Sequence, residues 1–287
     1  MSNLFEKFTK KNKNKTEDRI SLTNDQLNFW NSYGYLVLQS AITSEEREQV
    51  ENEVNLQWSK RENNDHLIDI LSGIHAGMEF RVSGISSSLR NESYKINNLF
   101  GRSTSIRSIA LNKTIKSALI DLLDGEPMIC NTLNFERGSQ QPFHLDTWYM
   151  PPPVEGKMIA AFIAIDDIGP DNGPFIYYPG SHAIPPYYFS DGRLNIINSE
   201  SKSCIDYLYH EIEKRGLSPE TLSCKAGDVL LWHANLFHGG APIKDMTITR
   251  KSLVVHYWRK DDIDPSQLRS DGDNAYLGRT LRGEIEF

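Results

Sequence analysis

A change in the pattern of apolar and turn residues at Pro127 constrains the fold more than any other feature of the sequence. From there to about residue 260, short β-prone runs follow one another, separated by turn residues and with no helices alternating between them. The runs are MICNTLNFE, MIAAFIAIDDI, FIYYP, DVLLWH and KSLVVHYW. Closely spaced short strands favour an antiparallel sandwich or barrel over an alternating α/β fold. We therefore expect a mainly β core.

The N-terminal half is predicted to contain helices and loops instead of closely spaced strands. Residues 1–20 are rich in Lys and Asn and predict a disordered tail. A capped helix that ends at Gly34, a strand over 35–39 and a second helix that begins at TSEE come next. Residues 61–105 carry Gly, Ser and Asn clusters and predict mostly loop, whereas SIRSIALNKTIKSALIDLLDG predicts a packing helix.

These patterns predict one domain over residues 21–287. It would comprise a helical unit over about 21–125, the β core over about 126–260 and a C-terminal extension over about 261–287. We find no internal repeat and no linker within the core. With 287 residues, the chain is long enough to bury a large core.

Composition narrows the class of partner. A formal net charge of −7 argues against nucleic acid and anionic membranes, because phosphate binding requires a basic surface. No apolar run approaches the roughly 18 residues of a membrane span. The 3 cysteines include no CxxC spacing, which argues against a disulfide framework or a thiolate zinc site and suits a reducing compartment. We expect a cytoplasmic protein with a small-molecule substrate; the oligomeric state is not indicated.

The stretch QPFHLDTWYM places His144 and Asp146 two positions apart. If 143–147 is a strand, both side chains point to one face, where they could bind a metal or form a polar pair at a strand edge. A third ligand could come from GDVLLWHANLFHGGAP, which contains His233 and His238. We favour His238, because it lies beyond the apolar strand and the following Gly-Gly allows close backbone approach. Two imidazoles and one carboxylate form the facial triad of non-haem Fe(II) oxygenases, which leaves open coordination positions.

Arg250 lies twelve residues after His238, in TITRKSLVVHYW. On a strand it would share a face with Ser252, and a guanidinium beside a hydroxyl suits a carboxylate, since the fork geometry supports two parallel hydrogen bonds. The dicarboxylate 2-oxoglutarate fits such a site: one end would chelate iron and the other would reach Arg250. The alternative is a strand-end Arg paired with a surface carboxylate.

Four segments together resemble the phytanoyl-CoA dioxygenase-like family of Fe(II)- and 2-oxoglutarate-dependent oxygenases. They are HLD at 144–146, DNGPFIYYPGSH at 171–182, AGDVLLWHANLFHGG at 226–240 and RKS at 250–252. The opening LTNDQLNFWNSYGYLVLQSAITSEE is also similar to that family, so the likeness covers about 21–260. It implies a double-stranded β-helix, a jelly-roll or cupin-like core flanked by helices, with iron near one open end.

The resemblance also implies site residues. The metal ligands would be His144, Asp146 and His238. The 2-oxoglutarate site would include Arg250, Ser252, Asn134 and Thr147. The implied reaction uses Fe(II), 2-oxoglutarate and O₂, and releases succinate and CO₂. Because the acidic ligand that halogenating relatives lack is present, hydroxylation is the expected outcome.

Two other classes remain open. A cupin-like metalloenzyme that does not use 2-oxoglutarate would retain the triad, but would not require Arg250 with Ser252. A non-catalytic binding module with a vestigial site would not require an intact triad. Four of the remaining histidines are expected to be structural: His66, His75, His210 and His256. His182 is expected to lie at the rim of the site.

Overall fold

The computed structural model describes residues 21–281, so the predicted tail at 1–20 and the end of the C-terminal extension at 282–287 lie outside the described residues. The helices are α1 (Asn24–Tyr33), α2 (Ser44–Ser59), α3 (Thr104–Ala110), α4 (Lys113–Leu123) and α5 (Ser201–Lys214). The strands are β1 (Tyr35–Leu38), β2 (Leu67–Ile70), β3 (Glu79–Arg81), β4 (Tyr94–Asn97), β5 (Pro127–Phe135), β6 (Met158–Ala164), β7 (Phe175–Tyr177), β8 (Glu220–Thr221), β9 (Val229–His233), β10 (His238–Gly240), β11 (Ser252–Arg259), β12 (Leu268–Asp271) and β13 (Asn274–Leu277). None of the helices in this range is long and apolar enough to cross a membrane.

The first two helices begin where the sequence predicts. Thr23 caps α1 and Thr43 caps α2, each in a reciprocal capping box with the residue three positions later. Helix α1 ends at Gly34, whose φ of 76° lies in the left-handed region that favours glycine. This sharp ending lets β1 follow at once and pair with β9.

The strands form two sheets, which confirms the prediction of a mainly β, antiparallel core. The large sheet has the order β1-β9-β6-β11-β5-β4-β2-β3, and the β12–β13 hairpin joins it through a parallel pairing of β13 with β5. The small sheet has the order β10-β7-β8. Side chains from both sheets, such as Phe162 on β6 and Phe175 on β7, meet in one buried cluster. The two sheets therefore enclose an interior, as in a jelly-roll.

Strand β6 shows how the large sheet is packed. All of its residues are buried, because the sheet is covered on both faces. Ile159, Ala161 and Ile163 face the cluster that includes the helices, whereas Ala160 and Phe162 face the interior. This alternation also decides which residues of β5 and β11 reach the interior.

The prediction of mostly loop over 61–105 was wrong for β2, β3 and β4, which extend the large sheet. Strands of 3 or 4 residues are too short to show a period in the sequence. With β1, they place four strands within the 21–125 segment that the sequence assigned to helices, and β12 and β13 lie in the C-terminal extension. The packing helix predicted over 105–125 is two helices, α3 and α4, because Asn112 caps the N-terminus of α4.

Candidate active site

The HxD segment is not the strand that the sequence predicted over 143–147. His144 forms an isolated bridge with His238, and Asp146–Trp148 is a 3-10 turn. The backbone N–H of His144 donates to His238 O at 2.7 Å, and the N–H of His238 donates to His144 O at 3.1 Å. This reciprocal pair brings the two imidazoles together, with ring centroids 4.3 Å apart. The turn then returns the Asp146 carboxylate towards them.

The predicted metal ligands converge. Nε2 of His144 lies 3.8 Å from Oδ1 of Asp146, and Nε2 of His238 lies 3.6 Å from the same oxygen. One ligand atom from each of the three residues lies within 4.8 Å of the others, and all three side chains are buried. The donor set of two imidazoles and one carboxylate suits a divalent transition metal.

Backbone carbonyls orient both imidazoles. Nδ1 of His144 donates to Pro142 O and Nδ1 of His238 donates to Leu236 O, each at 2.8 Å. A ring whose Nδ1 carries the proton presents the lone pair of Nε2, so both rings aim a ligand atom at the space beside Asp146. Burial lowers the pKa of His144 to about 3 and also lowers the pKa of His238. Both imidazoles are therefore neutral at pH 7, as metal ligation requires.

The carboxylate of Asp146 is held in its charged form. Burial acts to raise its pKa, but the neighbouring His238 and His256 outweigh burial, and the pKa lies below its ordinary value. The indole Nε1 of Trp232 donates to Oδ2 at 2.8 Å, which leaves Oδ1 facing the imidazoles. The sequence analysis did not select Trp232, although a buried indole N–H needs an acceptor and could have drawn attention to it.

A cavity of about 530 Å³ opens onto the triad. Its inner wall is apolar and aromatic, formed by Leu133, Phe135, Phe162, Phe175, Trp232 and Val254. Its outer wall is polar, with Lys95, Asn97, Asn98, Asn131, Gln141 and Tyr149 among its residues. The size and the combination of apolar walls with a few polar groups are typical of small-molecule sites.

Arg250 lies in the apolar part of this cavity and is 3% exposed. It precedes β11 instead of lying on the strand, and its guanidinium carbon is 5.0 Å from the ring centroid of Phe162 and 5.7 Å from that of Phe135. Its Nε is buried without a hydrogen-bond partner, and no carboxylate within residues 21–281 pairs with it. Burial lowers the pKa of Arg250 to about 10, so the side chain is still charged at pH 7.

Asn134, a predicted 2-oxoglutarate residue, faces away from the triad. On β5 it pairs with Leu253, and both residues lie on the helix-covered face of the sheet. The inward positions belong to Leu133 and Phe135, because side chains alternate along the strand. Asn134 instead lines a separate cavity of about 20 Å³ beside α2, where both of its amide atoms lack a partner among residues 21–281.

Ser252 and Thr147 also do not line the large cavity. Ser252 pairs with Phe135 and Ala164 at the start of β11, and its buried Oγ has no hydrogen-bond partner. Thr147 lies in the turn after Asp146 and donates its hydroxyl to Asn235 Oδ1 at 2.8 Å. Of the four predicted 2-oxoglutarate residues, the structure thus brings only Arg250 into the cavity with the triad.

Two other histidines, His233 and His256, differ in whether they reach the large cavity. His233, the alternative third ligand, packs near Trp30 and His182 and accepts a hydrogen bond from the backbone of Asn235. It does not line the large cavity. His256, expected to be structural, does line it and places Nε2 3.6 Å from Oδ1 of Asp146.

Several solved structures share this fold. The non-haem α-ketoglutarate-dependent carbocyclase SnoK from nogalamycin biosynthesis is 15% identical and superposes with a TM-score of 0.62, covering 84% of this chain and 87% of SnoK. EctD from S. alaskensis, solved with 2-oxoglutarate and 5-hydroxyectoine, is 17% identical with a TM-score of 0.60, covering 87% of this chain and 80% of EctD. The epimerase SnoN, also from nogalamycin biosynthesis, is 16% identical with a TM-score of 0.61, covering 88% of this chain and 96% of SnoN.

These likenesses establish the fold, a jelly-roll of the kind that these oxygenases share. No curated protein matches the chain. The sequence does match the family described as phytanoyl-CoA dioxygenase over residues 30–248, which is most of its length. The match spans the triad segments and most of the strands of both sheets. The chain belongs to the phytanoyl-CoA dioxygenase family.

Proposed function

We propose that this protein is an Fe(II)- and 2-oxoglutarate-dependent dioxygenase that hydroxylates a small organic substrate. His144, Asp146 and His238 hold the iron, and Arg250 binds the distal carboxylate of 2-oxoglutarate. The observation that carries the proposal is the state of Arg250: a buried guanidinium with an unpaired Nε, in the same cavity as the triad.

A cation in this position calls for an anionic ligand. Burying an unpaired charge costs several kcal/mol in order of magnitude, and the nearby rings of Phe135 and Phe162 offset only part of that cost. A carboxylate can accept two parallel hydrogen bonds from a guanidinium, which makes it a suitable partner. Because the triad fills only three positions of an octahedral metal, a 2-oxo acid can chelate the metal with its other end.

Ser252 remains in this proposal as a second donor to the same carboxylate. It lies two residues after Arg250, its register places it opposite the inward-facing Phe135, and its hydroxyl has no partner among the described residues. Asn134 and Thr147 are left out of the proposed site, because Asn134 lies on the helix-covered face of the sheet and the Thr147 hydroxyl is paired with Asn235.

When bound, iron and 2-oxoglutarate supply the oxidative chemistry, in which O₂ and 2-oxoglutarate yield succinate, CO₂ and a hydroxylated substrate. The chain's own residues orient the metal ligands and exclude water from the site. Neutral His144 and His238 present their lone pairs, Trp232 fixes one oxygen of Asp146, and the aromatic walls limit water around the reacting groups.

Hydroxylation is the reaction we favour among those named for similar structures, which include a carbocyclase and an epimerase as well as EctD with its hydroxylated ligand. Asp146 argues against halogenation, since a carboxylate in that position leaves no halide site. The apolar inner wall and polar outer wall of the cavity suit a small substrate with both kinds of surface.

Anaerobic addition of Fe(II) and 2-oxoglutarate tests the proposal. We expect a visible metal-to-ligand charge-transfer band, and succinate once O₂ is admitted. Asp146→Ala should abolish both. Arg250→Ala should weaken 2-oxoglutarate binding on the order of 100-fold, because a charged hydrogen-bonding partner is lost.

Two exposed residues provide matched controls, His210→Ala on α5 for the triad and Arg215→Ala just after α5 for the arginine. Both variants should behave as the wild type. An iron-loaded protein that gives no band and no succinate would point instead to a metalloenzyme that does not use 2-oxoglutarate. A protein that binds no metal would point to a vestigial site.

A further inference from the structure

The backbone around Arg250 is held in place although it lies outside the sheet. The ladder between β6 and β11 ends with Ala164 opposite Ser252, so Arg250 belongs to the connection 241–251 between β10 and β11. Of residues 241–251, Arg250 alone is buried. The guanidinium therefore reaches the cavity from a segment whose other residues are partly or fully exposed.

One carboxylate bonds both neighbours of Arg250 in the chain. Oδ2 of Asp166, the second residue after β6, accepts from the hydroxyl of Thr249 at 2.6 Å and from the backbone N–H of Lys251 at 2.9 Å. The backbone N–H of Asp166 in turn donates to the O of Lys251 at 3.2 Å. Asp166 thus continues the contact between β6 and the chain that leads into β11, beyond the point where the ladder ends.

Two further hydrogen bonds hold the same segment. The backbone N–H of Arg250 donates to the O of Glu136, just after β5, at 2.9 Å. Nδ2 of Asn172, in the loop before β7, donates to the O of Thr249 at 3.2 Å. The backbone on either side of Arg250 is therefore bonded to three separate parts of the chain, and Asp166 provides the bonds that lie on both sides of the arginine.

The segment needs this support because of the charge that it carries. A buried guanidinium without an ion-pair partner gains free energy by moving into water, and the aromatic rings beside Arg250 offset only part of that gain. A backbone that is bonded on both sides of Arg250 keeps the side chain in the cavity before 2-oxoglutarate arrives. A binding group that is already in position loses less conformational freedom on binding, which favours affinity.

We propose that Asp166 is a positioning residue for Arg250. By bonding Thr249 and Lys251 through one oxygen, it determines where the guanidinium meets the distal carboxylate of the co-substrate. The inference rests on the proposed function, because it assigns that carboxylate to Arg250. Asp166 does not line the large cavity and acts only through the backbone of its partners. Its effect should appear in the recognition of the distal carboxylate and not in metal binding.

Three variants separate this role from a general contribution to folding. Asp166→Ala removes both bonds and should weaken 2-oxoglutarate binding about 10-fold, the lower end of the effect of losing a partner that orients a binding side chain. The bonds from Glu136 and Asn172 remain, which limits the loss. Asp166→Asn keeps an oxygen that can accept both bonds and should recover most of the affinity. Thr249→Val removes one bond with little change of shape and should give a smaller loss.

The experiment is an anaerobic titration of each Fe(II)-loaded variant with 2-oxoglutarate and with 2-oxopentanoate, its analogue without the distal carboxylate. The charge-transfer band reports the binding of both ligands, Co(II) binding without either ligand reports the metal site, and thermal unfolding checks that each variant is folded. Asp167→Ala is the matched control, because Asp167 is exposed and bonds Lys225 and Ala226 instead. In Asp166→Ala only 2-oxoglutarate binding should fall, and the same change made in Arg250→Met should have little further effect.

An unchanged preference for 2-oxoglutarate in Asp166→Ala would overturn the inference. An equal loss for both ligands, or an Asn variant as weak as the Ala variant, would also overturn it. Where Asp166→Ala does not fold, Thr249→Val carries the test, and an unchanged preference in that variant overturns the inference. In each of these cases the wild type still prefers 2-oxoglutarate, so the proposed function stands. A wild type that binds neither ligand, or both equally, contradicts the proposed function and the inference together.

Discussion

At the metal end of the cavity the polar atoms are bonded within the chain, whereas at the arginine end they are not. His144 and His238 each bond a backbone carbonyl, and Asp146 accepts from Trp232. Arg250 at the other end, and Ser252 two residues after it, have buried polar atoms with no partner in the described part of the chain. Internal bonds hold ligand atoms in place before a metal arrives. An unpaired buried cation that lines a cavity suits an anionic ligand.

The largest expected effect comes from removing the unpaired cation. Arg250→Met keeps the length of the side chain but not its charge, and should weaken 2-oxoglutarate binding on the order of 100-fold. The free energy of unfolding of the metal-free protein should rise by about 1 kcal/mol, because an isolated buried charge is lost. Ligand titration and urea unfolding measure the two effects. A large loss of stability would mean that Arg250 has a structural partner.

A smaller effect on ligand affinity is expected at the metal end, where the ligand is the metal. Trp232→Phe retains the aromatic packing but removes the indole N–H that donates to Asp146. Metal affinity should fall by about 10-fold or more, and the free energy of unfolding should fall by about 1 kcal/mol. In Trp232→Phe the free energy of unfolding and the metal affinity decrease together, whereas in Arg250→Met the free energy of unfolding rises while 2-oxoglutarate binding weakens. Co(II) titration measures the affinity, and unchanged binding would show that the backbone alone fixes the carboxylate.

The smallest effect on binding is expected at Asn134, which tests the difference between the two faces of the sheet. Asn134→Leu replaces a buried amide whose two polar atoms have no partner. The free energy of unfolding should stay the same or rise by about 1 kcal/mol, and 2-oxoglutarate affinity should not change. A clear loss of 2-oxoglutarate binding would place Asn134 at the co-substrate, as the sequence first predicted.

Much of the fold could be predicted from the sequence, because its longer strands are apolar runs between turn residues. Strands β2, β3 and β4 could not, since their few residues show no period and their pairing depends on distant partners. A strand over 143–147 was considered because the spacing fits a pleat, but that strand does not form. The turn at Asp146–Trp148 produces the same convergence of His144 and Asp146 by another route.

Sequence spacing was enough to select the triad and Arg250, which the structure brings into one cavity. Sequence was not enough where strand register decides which side chains face the cavity. Asn134 differs from the inward-facing Leu133 by one position, and only the pairing with β11 shows which of them reaches the cavity. Strand alternation turns His256 to the same face as Val254, but its 3.6 Å distance to Asp146 depends on the packing of segments far apart in the chain, which local sequence does not indicate.

The most direct test of the account compares 2-oxoglutarate with 2-oxopentanoate, which has the same chelating end but lacks the distal carboxylate. Anaerobic titrations of the Fe(II)-loaded wild type should show a preference for 2-oxoglutarate on the order of 100-fold. In Arg250→Met most of this preference should be lost, because the charged pairing is removed and only the Ser252 hydroxyl remains to donate to the distal carboxylate. If the preference survives in Arg250→Met, another residue binds the distal carboxylate and the account of the arginine end is wrong.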